Sequence, residues 1–452
     1  MTTAQLGDVA SIVRGIAFPK EDKRAEPLPG HVACLRTTNV QRTVEWDDLW
    51  FVPEKHVKRE EQLVRSGDIL ISTANSYELV GKVAPVTGIP HKATLGAFIS
   101  LIRPNERVEP KFLYHQLAWG KTQSRIRETA STTTNISNVS TKKLLTLEMF
   151  TPPLEAQREI VAELEKQFSR LDEAVTNLQR VKANLKRYKA SVLKAAVEGR
   201  LVETEATLAR REGRTYETGE QLLQRILEER RAKWAGKGKY QEPEVTSVFD
   251  LGELPHGWTW ASAVQACEQV VDCHNKTAPY TSTGIPLVRT TNIKDGRLLL
   301  DDTRYVDQPT YDFWSRRCPP EPGDVLFTRE APMGEAGIIP PGVKLCLGQR
   351  TMLMRPSPAI SSSFLLSALL SPVVKDLIDR VAVGSGVKHL RVGDVERLPV
   401  PLPPVAEQTR IVAEVDRHLS IIREVEAEVD ANLQRAQALR QATLAKAFAG
   451  GM

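Results

Sequence analysis

Along the stretch that begins at Pro152, apolar side chains recur three or four residues apart: Leu164, Phe168, Leu171, Val175, Leu178, Val181, Leu185, Tyr188 and Val192. The mean step is about 3.5 residues, the period of a coiled-coil seam rather than of a helix lying on a globular core. Pro152-Pro153 stands where a helix can begin, because a proline in the first turn gives up only an amide that has no intrahelical partner. Gly199 follows the last apolar residue and suits a helix stop. A helix of about 45 residues would span on the order of 65 Å. The pattern returns from Pro403. There Pro-Pro-Val-Ala-Glu-Gln repeats Pro-Pro-Leu-Glu-Ala-Gln, Gly450 falls where Gly199 did, and the apolar line reads Val415, Leu419, Ile422, Val425, Val429, Leu433, Ala436 and Leu439. Two equal helices in one chain are expected to pair antiparallel as an internal spacer. The plainer alternative is that each packs flat on its own domain.

The repetition extends beyond the helices. Leu35-Arg-Thr-Thr-Asn-Val40 returns as Val288-Arg-Thr-Thr-Asn-Ile293, Ser66-Gly-Asp-Ile-Leu70 as Pro322-Gly-Asp-Val-Leu326, and Leu95-Gly with Arg103-Pro104 as Leu347-Gly with Arg355-Pro356. Between these anchors the halves diverge in length and residues, as over 40–65 against 294–321 and 75–90 against 329–341. Each half reads as mixed α/β. Short Val, Ile and Leu runs at 68–72, 98–102, 324–327 and 351–354 are strand-like, and 110–127 and 362–379 are helical. The expected order is therefore a globular domain over 1–151, a helix over 152–202, a linker with a short helix (219–233) over 203–255, a second domain over 256–402, and a helix over 403–452. Gly236-Lys-Gly-Lys-Tyr240 in the linker reads as a flexible connector, with a phosphate contact as the sharper alternative.

A chain of 452 residues has room for two to four domains, and 41% hydrophobic with 26% charged residues is an ordinary globular composition. No stretch reads as a signal peptide or membrane span, so a cytoplasmic protein is expected. Cys34, Cys267, Cys273, Cys318 and Cys346 follow no framework spacing and are expected to be reduced. A metal site of Cys267, Cys273 and His274 would lack the paired spacing of structural zinc. The net charge of +5 permits nucleic-acid binding without requiring it.

Catalytic signatures are missing. There is no GxxxxGK[ST] phosphate cradle, no HExxH, and none of the Pro-Pro pairs at Pro152, Pro319, Pro340 and Pro403 is followed by the aromatic residue that an amino-methyltransferase tetrapeptide needs. Hydrogen-bonding and cationic side chains recur instead: Arg36, Thr37, Thr38 and Asn39, with Arg289, Thr290, Thr291 and Asn292. Arginine can address guanine and asparagine adenine, while threonine reaches phosphates. A motif common to both halves reads first as scaffold or shared phosphate contact, since readers of different targets should differ. Base readers are then expected in the divergent loops: Asn75, Ser76, Tyr77 and Lys82 in the first half, and Arg329, Gln349, Arg350, Lys388, His389 and Arg391 in the second.

Two variable domains, each with an RTTN-like segment, a GDIL or GDVL strand and a PPLxxQ-type start to a long helix, resemble the specificity (S) subunits of type I restriction-modification systems. Glu217-Thr-Gly-Glu-Gln-Leu-Leu223 and Leu254-Pro-His-Gly-Trp-Thr-Trp260 add to the likeness. The first module departs from it. It opens at Leu6-Gly-Asp-Val without a Gly-Trp segment, as a short or misassigned N-terminus would. The resemblance implies two α/β target recognition domains separated by two long helices that pair as an antiparallel coiled coil. Each domain would bind one half of a split double-stranded DNA site, with the helices setting the gap and docking two methyltransferase subunits. Restriction subunits would join in the full complex. It implies no cofactor on this chain, with the methyl donor, ATP and Mg²⁺ used by the partners. The rivals are a coiled-coil adaptor binding proteins through its globular ends, and a specificity module serving a single-chain restriction-methylation enzyme.

Overall fold

The computed structural model describes residues 2–133, 135–236, 238–245, 251–274 and 276–449. Gly450, the expected stop of the second long helix, lies outside the described residues, as does Lys237 of the glycine-rich connector. The chain forms two compact units, Met1–Arg180 with Val429–Met452 and Val181–Glu428.

The first unit is built on an antiparallel four-stranded sheet in the order Ala10–Arg14, Ile99–Pro104, Ile69–Ser72, Val83–Pro85. A second sheet carries Trp50–Pro53, His31–Leu35 and Ala93–Leu95, the last pair parallel. The strands that face core on both sides read as unbroken apolar runs, such as Ile69, Leu70 and Ile71, all buried. The second unit repeats this arrangement. Its four-stranded sheet runs Cys267–Asp272, Thr351–Pro356, Val325–Thr328, Ala336–Ile338, and its mixed sheet Arg304–Val306, Ile285–Val288, Cys346–Leu347. The closing ladders match as well, Thr3–Gln5 with Glu148–Phe150 and Thr259–Ser262 with Pro399–Leu402. The first module thus has a counterpart to the strand that follows Gly257-Trp258 in the second.

The helical stretches expected at 110–127 and 362–379 are each two helices: Pro110–Ala118 with Gly120–Glu128, and Ser362–Leu370 with Pro372–Val381. The break falls at Trp119 and Ser371, whose backbones are extended. For Ser371 the cause is local, because a residue before proline is pushed out of the helical region.

The long helices run Leu154–Val197 and Val405–Phe448, 44 residues each. In the first unit Val161, Leu164 and Phe168 pack with Leu444 and Phe448 around Phe112. In the second unit Val192, Leu193 and Ala196 pack with Ile411 and Val415. Early turns of one helix therefore meet late turns of the other in both units, an antiparallel pair. Gly199 takes a left-handed conformation just past the first helix, with φ +64.

Three positions leave the expected seam. Leu439 is 57% exposed because Ala436, Arg440 and Leu444 fill that side. The Arg440 guanidinium pairs with Asp172 and lies 4.1 Å over the Phe168 ring. Val181 and Val425, on the middle turns, are exposed as well. Tyr188 is half-exposed yet joined to its neighbour, its hydroxyl bonded to His418 Nδ1 at 2.8 Å.

Candidate nucleic-acid interface

The anchors that recur in the sequence are bonded to one another. Asp68, 2% exposed, takes a two-pronged bond from Arg103 (2.8 and 2.7 Å) and caps the Arg65 amide at 2.7 Å. Asp324 does the same with Arg355 (2.8 Å twice) and the Glu321 amide. Donating to its aspartate pushes each guanidinium's pKa up. The Gln of each Pro-Pro-x-x-x-Gln segment ties the long helix to its domain. Gln157 accepts from the Glu109 amide at 2.8 Å and donates to the Pro152 and Arg107 carbonyls. Gln408 accepts from the Ser361 amide at 3.0 Å and donates to the Pro403 carbonyl.

The Arg-Thr-Thr-Asn segments form matching single turns, Thr37–Asn39 and Thr290–Asn292. Asn39 and Asn292 are buried, and their amides are used within the turn. Asn39 Oδ1 accepts from the Arg36 amide at 2.8 Å and Nδ2 donates to the Glu45 carbonyl at 3.0 Å. Asn292 accepts from Arg289 at 3.1 Å and donates to Asp302 at 2.9 Å. These bonds are what the scaffold reading of the shared motif expects. An amide so committed would have to break two internal bonds before meeting a base.

The turn presents Thr38 and Thr291 outward, while Thr290 donates to the Ala331 carbonyl at 3.0 Å. Arg36 is held by Asp48 at 2.6 Å and lies 4.3 Å over the Trp50 ring. Around the first turn the structure gathers Lys82, whose ammonium reaches Gln41 Oε1 (2.5 Å) while Gln41 donates to the Thr38 carbonyl. Asn75 bonds its neighbour Ser76, and Tyr77 stands out at 52% exposure.

Around the second turn Arg350 pairs with Glu330, and His389 bridges to Glu330 and Val383. Lys388 and Arg391 are exposed, and Gln349, next to Arg350 in the chain, is half-buried. Arg329 is the exception. It is largely covered and spent on the Leu390 carbonyl (2.9 Å) and Asp272 (3.1 Å), so it braces the cluster rather than facing outward.

Sequence reasoning missed several neighbours of the first turn. Phe98 is 62% exposed and lines, with Ile16, Phe18 and Trp50, a groove of about 510 Å³ that Lys20, Lys23 and Arg36 also border. The Lys23 ammonium sits 3.2 Å over the Trp50 ring. The available signal was register. Phe98 and Arg350 both stand three residues past Leu95 and Leu347 in the repeated Leu-Gly anchor.

The five cysteines are free and buried, and burial pushes the thiols of Cys34, Cys267 and Cys346 up to about 12. Cys267 and Cys273 lie near opposite ends of one extended segment, about 20 Å apart at strand rise. Among the described residues no group of three His, Cys, Asp or Glu side chains is placed to hold a metal. No helix of the described residues is long and apolar enough to cross a membrane.

Compared with known proteins, residues 1–186 and 275–434 match the family model of the type I restriction modification DNA specificity domain. The chain is 24% identical to the type I restriction enzyme EcoKI specificity subunit of Escherichia coli K12 over 458 aligned residues, covering 99% of this chain and 88% of that protein. It is 22% identical to the StySPI specificity subunit of Salmonella potsdam, with the same coverage. A solved chain from work on complex assembly and conformational transition of the type I R-M system shares the fold. It has a TM-score of 0.59 at 20% identity, over 100% of this chain and 98% of that one.

Proposed function

Since the chain belongs to the type I restriction modification DNA specificity family, we propose that each of its two modules binds one half of a bipartite, asymmetric double-stranded DNA site. The paired helices set the gap between the half-sites and dock two methyltransferase subunits, and restriction subunits join in the full complex. This chain recognises DNA and breaks no bond itself. The methyl donor, ATP and Mg²⁺ are used by the partner subunits, and the complex works in the cytoplasm.

The observation that carries the reading is one domain built twice with unlike side chains around the same turn. The first turn is flanked by Tyr77, Asn75 and an aromatic groove, and the second by Arg350, Lys388, His389 and Arg391. Equal scaffolds with different faces suit two unequal half-sites. Lysines and the Thr38 and Thr291 hydroxyls hold phosphates, a sequence-independent attraction that weakens with salt. The divergent side chains, Arg350 and Gln349 among them, meet base edges in the major groove.

Co-expression with a type I methyltransferase subunit, followed by genome-wide mapping of methylated bases, tests this reading. A single two-part motif with a fixed gap is expected. A soluble complex that methylates nothing, and retains no DNA sequence over another, would overturn it.

A further inference from the structure

Phe98 and Arg350 occupy one structural position. The Phe98 carbonyl accepts from the Thr73 amide at 2.9 Å, and the Arg350 carbonyl from the Arg329 amide at 2.8 Å, with the adjoining strands in the same order. A second pair of equivalents lies beside them. Trp50 faces Cys34 across the mixed sheet of the first unit, and Arg304 faces Leu287 in the second, where Cys34 and Leu287 each precede the Leu or Val of the shared turn. At two matched sites next to that turn, one module therefore shows aromatic rings and the other guanidinium groups. Arg350 holds a left-handed backbone, φ +65, which a non-glycine residue adopts at a cost and which is often found at functional sites.

Resting on the DNA reading above, we infer that the Phe98 groove is a site for the 5-methyl group of a thymine in the half-site bound by the first module. The groove is lined by the apolar side chains of Ile16, Phe18, Trp50 and Phe98 together with a cationic rim of Lys20, Lys23 and Arg36, the last two lying over the Trp50 ring. Such a rim suits the phosphates of the backbone. The exposed Phe98 ring offers no hydrogen bond to the edges of guanine, cytosine or adenine. Among the groups the four base pairs present in the major groove, the thymine methyl is the apolar one. Phe98 is the ring best placed to meet it, being the most exposed large apolar side chain among the described residues of the first unit. The counterpart Arg350 carries the opposite chemistry, that of a guanine reader, as two modules with different targets require.

The test uses the full chain in complex with its methyltransferase subunit and short duplexes carrying the mapped site, with each thymine of the first half-site replaced in turn by deoxyuridine. At one position the wild-type complex is expected to lose affinity roughly four-fold, the effect of withdrawing one buried methyl. Phe98→Ala should bind the thymine duplex at least that much more weakly and no longer distinguish it from the deoxyuridine duplex. Phe98→Leu should restore part of the preference, and substitutions in the second half-site should affect all three proteins alike. Sequence-specific binding that ignores every thymine methyl of the first half-site overturns the inference and leaves the DNA reading intact. So does a Phe98→Ala complex that still discriminates, or one that has lost only its grip on the methyltransferase subunit. A wild-type complex without any sequence preference overturns the DNA reading, and this inference with it.

Discussion

Gln157→Ala probes the joint between the long helix and the first domain. The wild-type side chain is fully buried and makes three hydrogen bonds, to the Glu109 amide and the Pro152 and Arg107 carbonyls. Truncation leaves the Glu109 amide without that partner, at about 2 kcal/mol, and two carbonyls short of a donor, which together add about 1 kcal/mol. Alanine's better helix propensity returns only a few tenths of a kcal/mol. A net loss of about 3 kcal/mol corresponds to roughly a hundred-fold rise in the open population. Because two units share the chain, a single melting curve would blur the effect, so the assay is hydrogen exchange read peptide by peptide. Peptides from Ile99–Pro104 and Pro110–Ala118 should exchange roughly a hundred-fold faster, with those of the second unit unchanged. Gln408→Ala should give the mirror image through the Ser361 amide. A change below about five-fold in the affected unit, or an equal response in both, would refute the reasoning.

Other consequences follow from individual groups. Burial holds the His115 imidazole down at about 4, so between that value and about 6.5 the unfolded chain binds a proton that the folded unit refuses. The stabilisation is complete above pH 6.5 and is lost as pH falls towards 4, by up to about 3 kcal/mol. His115→Gln should flatten this dependence in denaturant titrations at pH 7 and 4.5, and an unchanged slope would contradict it. Asp324→Ala removes the buried one of the two carboxylates that meet Arg355, leaving Glu321 at 3.3 Å, and should cost the second unit about 2–3 kcal/mol, seen as faster hydrogen exchange in peptides from Val325–Thr328 and Thr351–Pro356 with the first unit unchanged. Inserting seven residues into the exposed middle of the first long helix, near Val181, should change the tolerated gap between half-sites or abolish binding. Selection from a library of spacer lengths would reveal an unchanged gap, which would remove the ruler role.

Much of the architecture was legible because its signals are periodic or duplicated. A mean spacing near 3.5 exposed the helix pair, and the recurring Gly-Asp and Arg-Pro anchors marked the paired strands. That Asp68 and Arg103 bond each other was not readable, since nothing along the chain says which of two distant polar residues meet. Leu439 was misplaced because hydrophobicity alone cannot foresee that Arg440 would fill the seam by stacking on Phe168. Asn39 and Asn292 resemble base readers by residue type, and only the closed geometry of the turn spends their amides. Phe98 escaped notice for the opposite reason. As part of an apolar run it reads as buried strand, whereas the strand begins one residue later, at Ile99, and leaves the ring outside.

Exchanging residues 7–146 for the matching segment of a relative with a known site, and mapping methylation by the hybrid complex, tests the division of labour between the modules most directly. One half of the motif should change to that of the donor while the other half and the gap stay fixed. A change in both halves would contradict modular recognition.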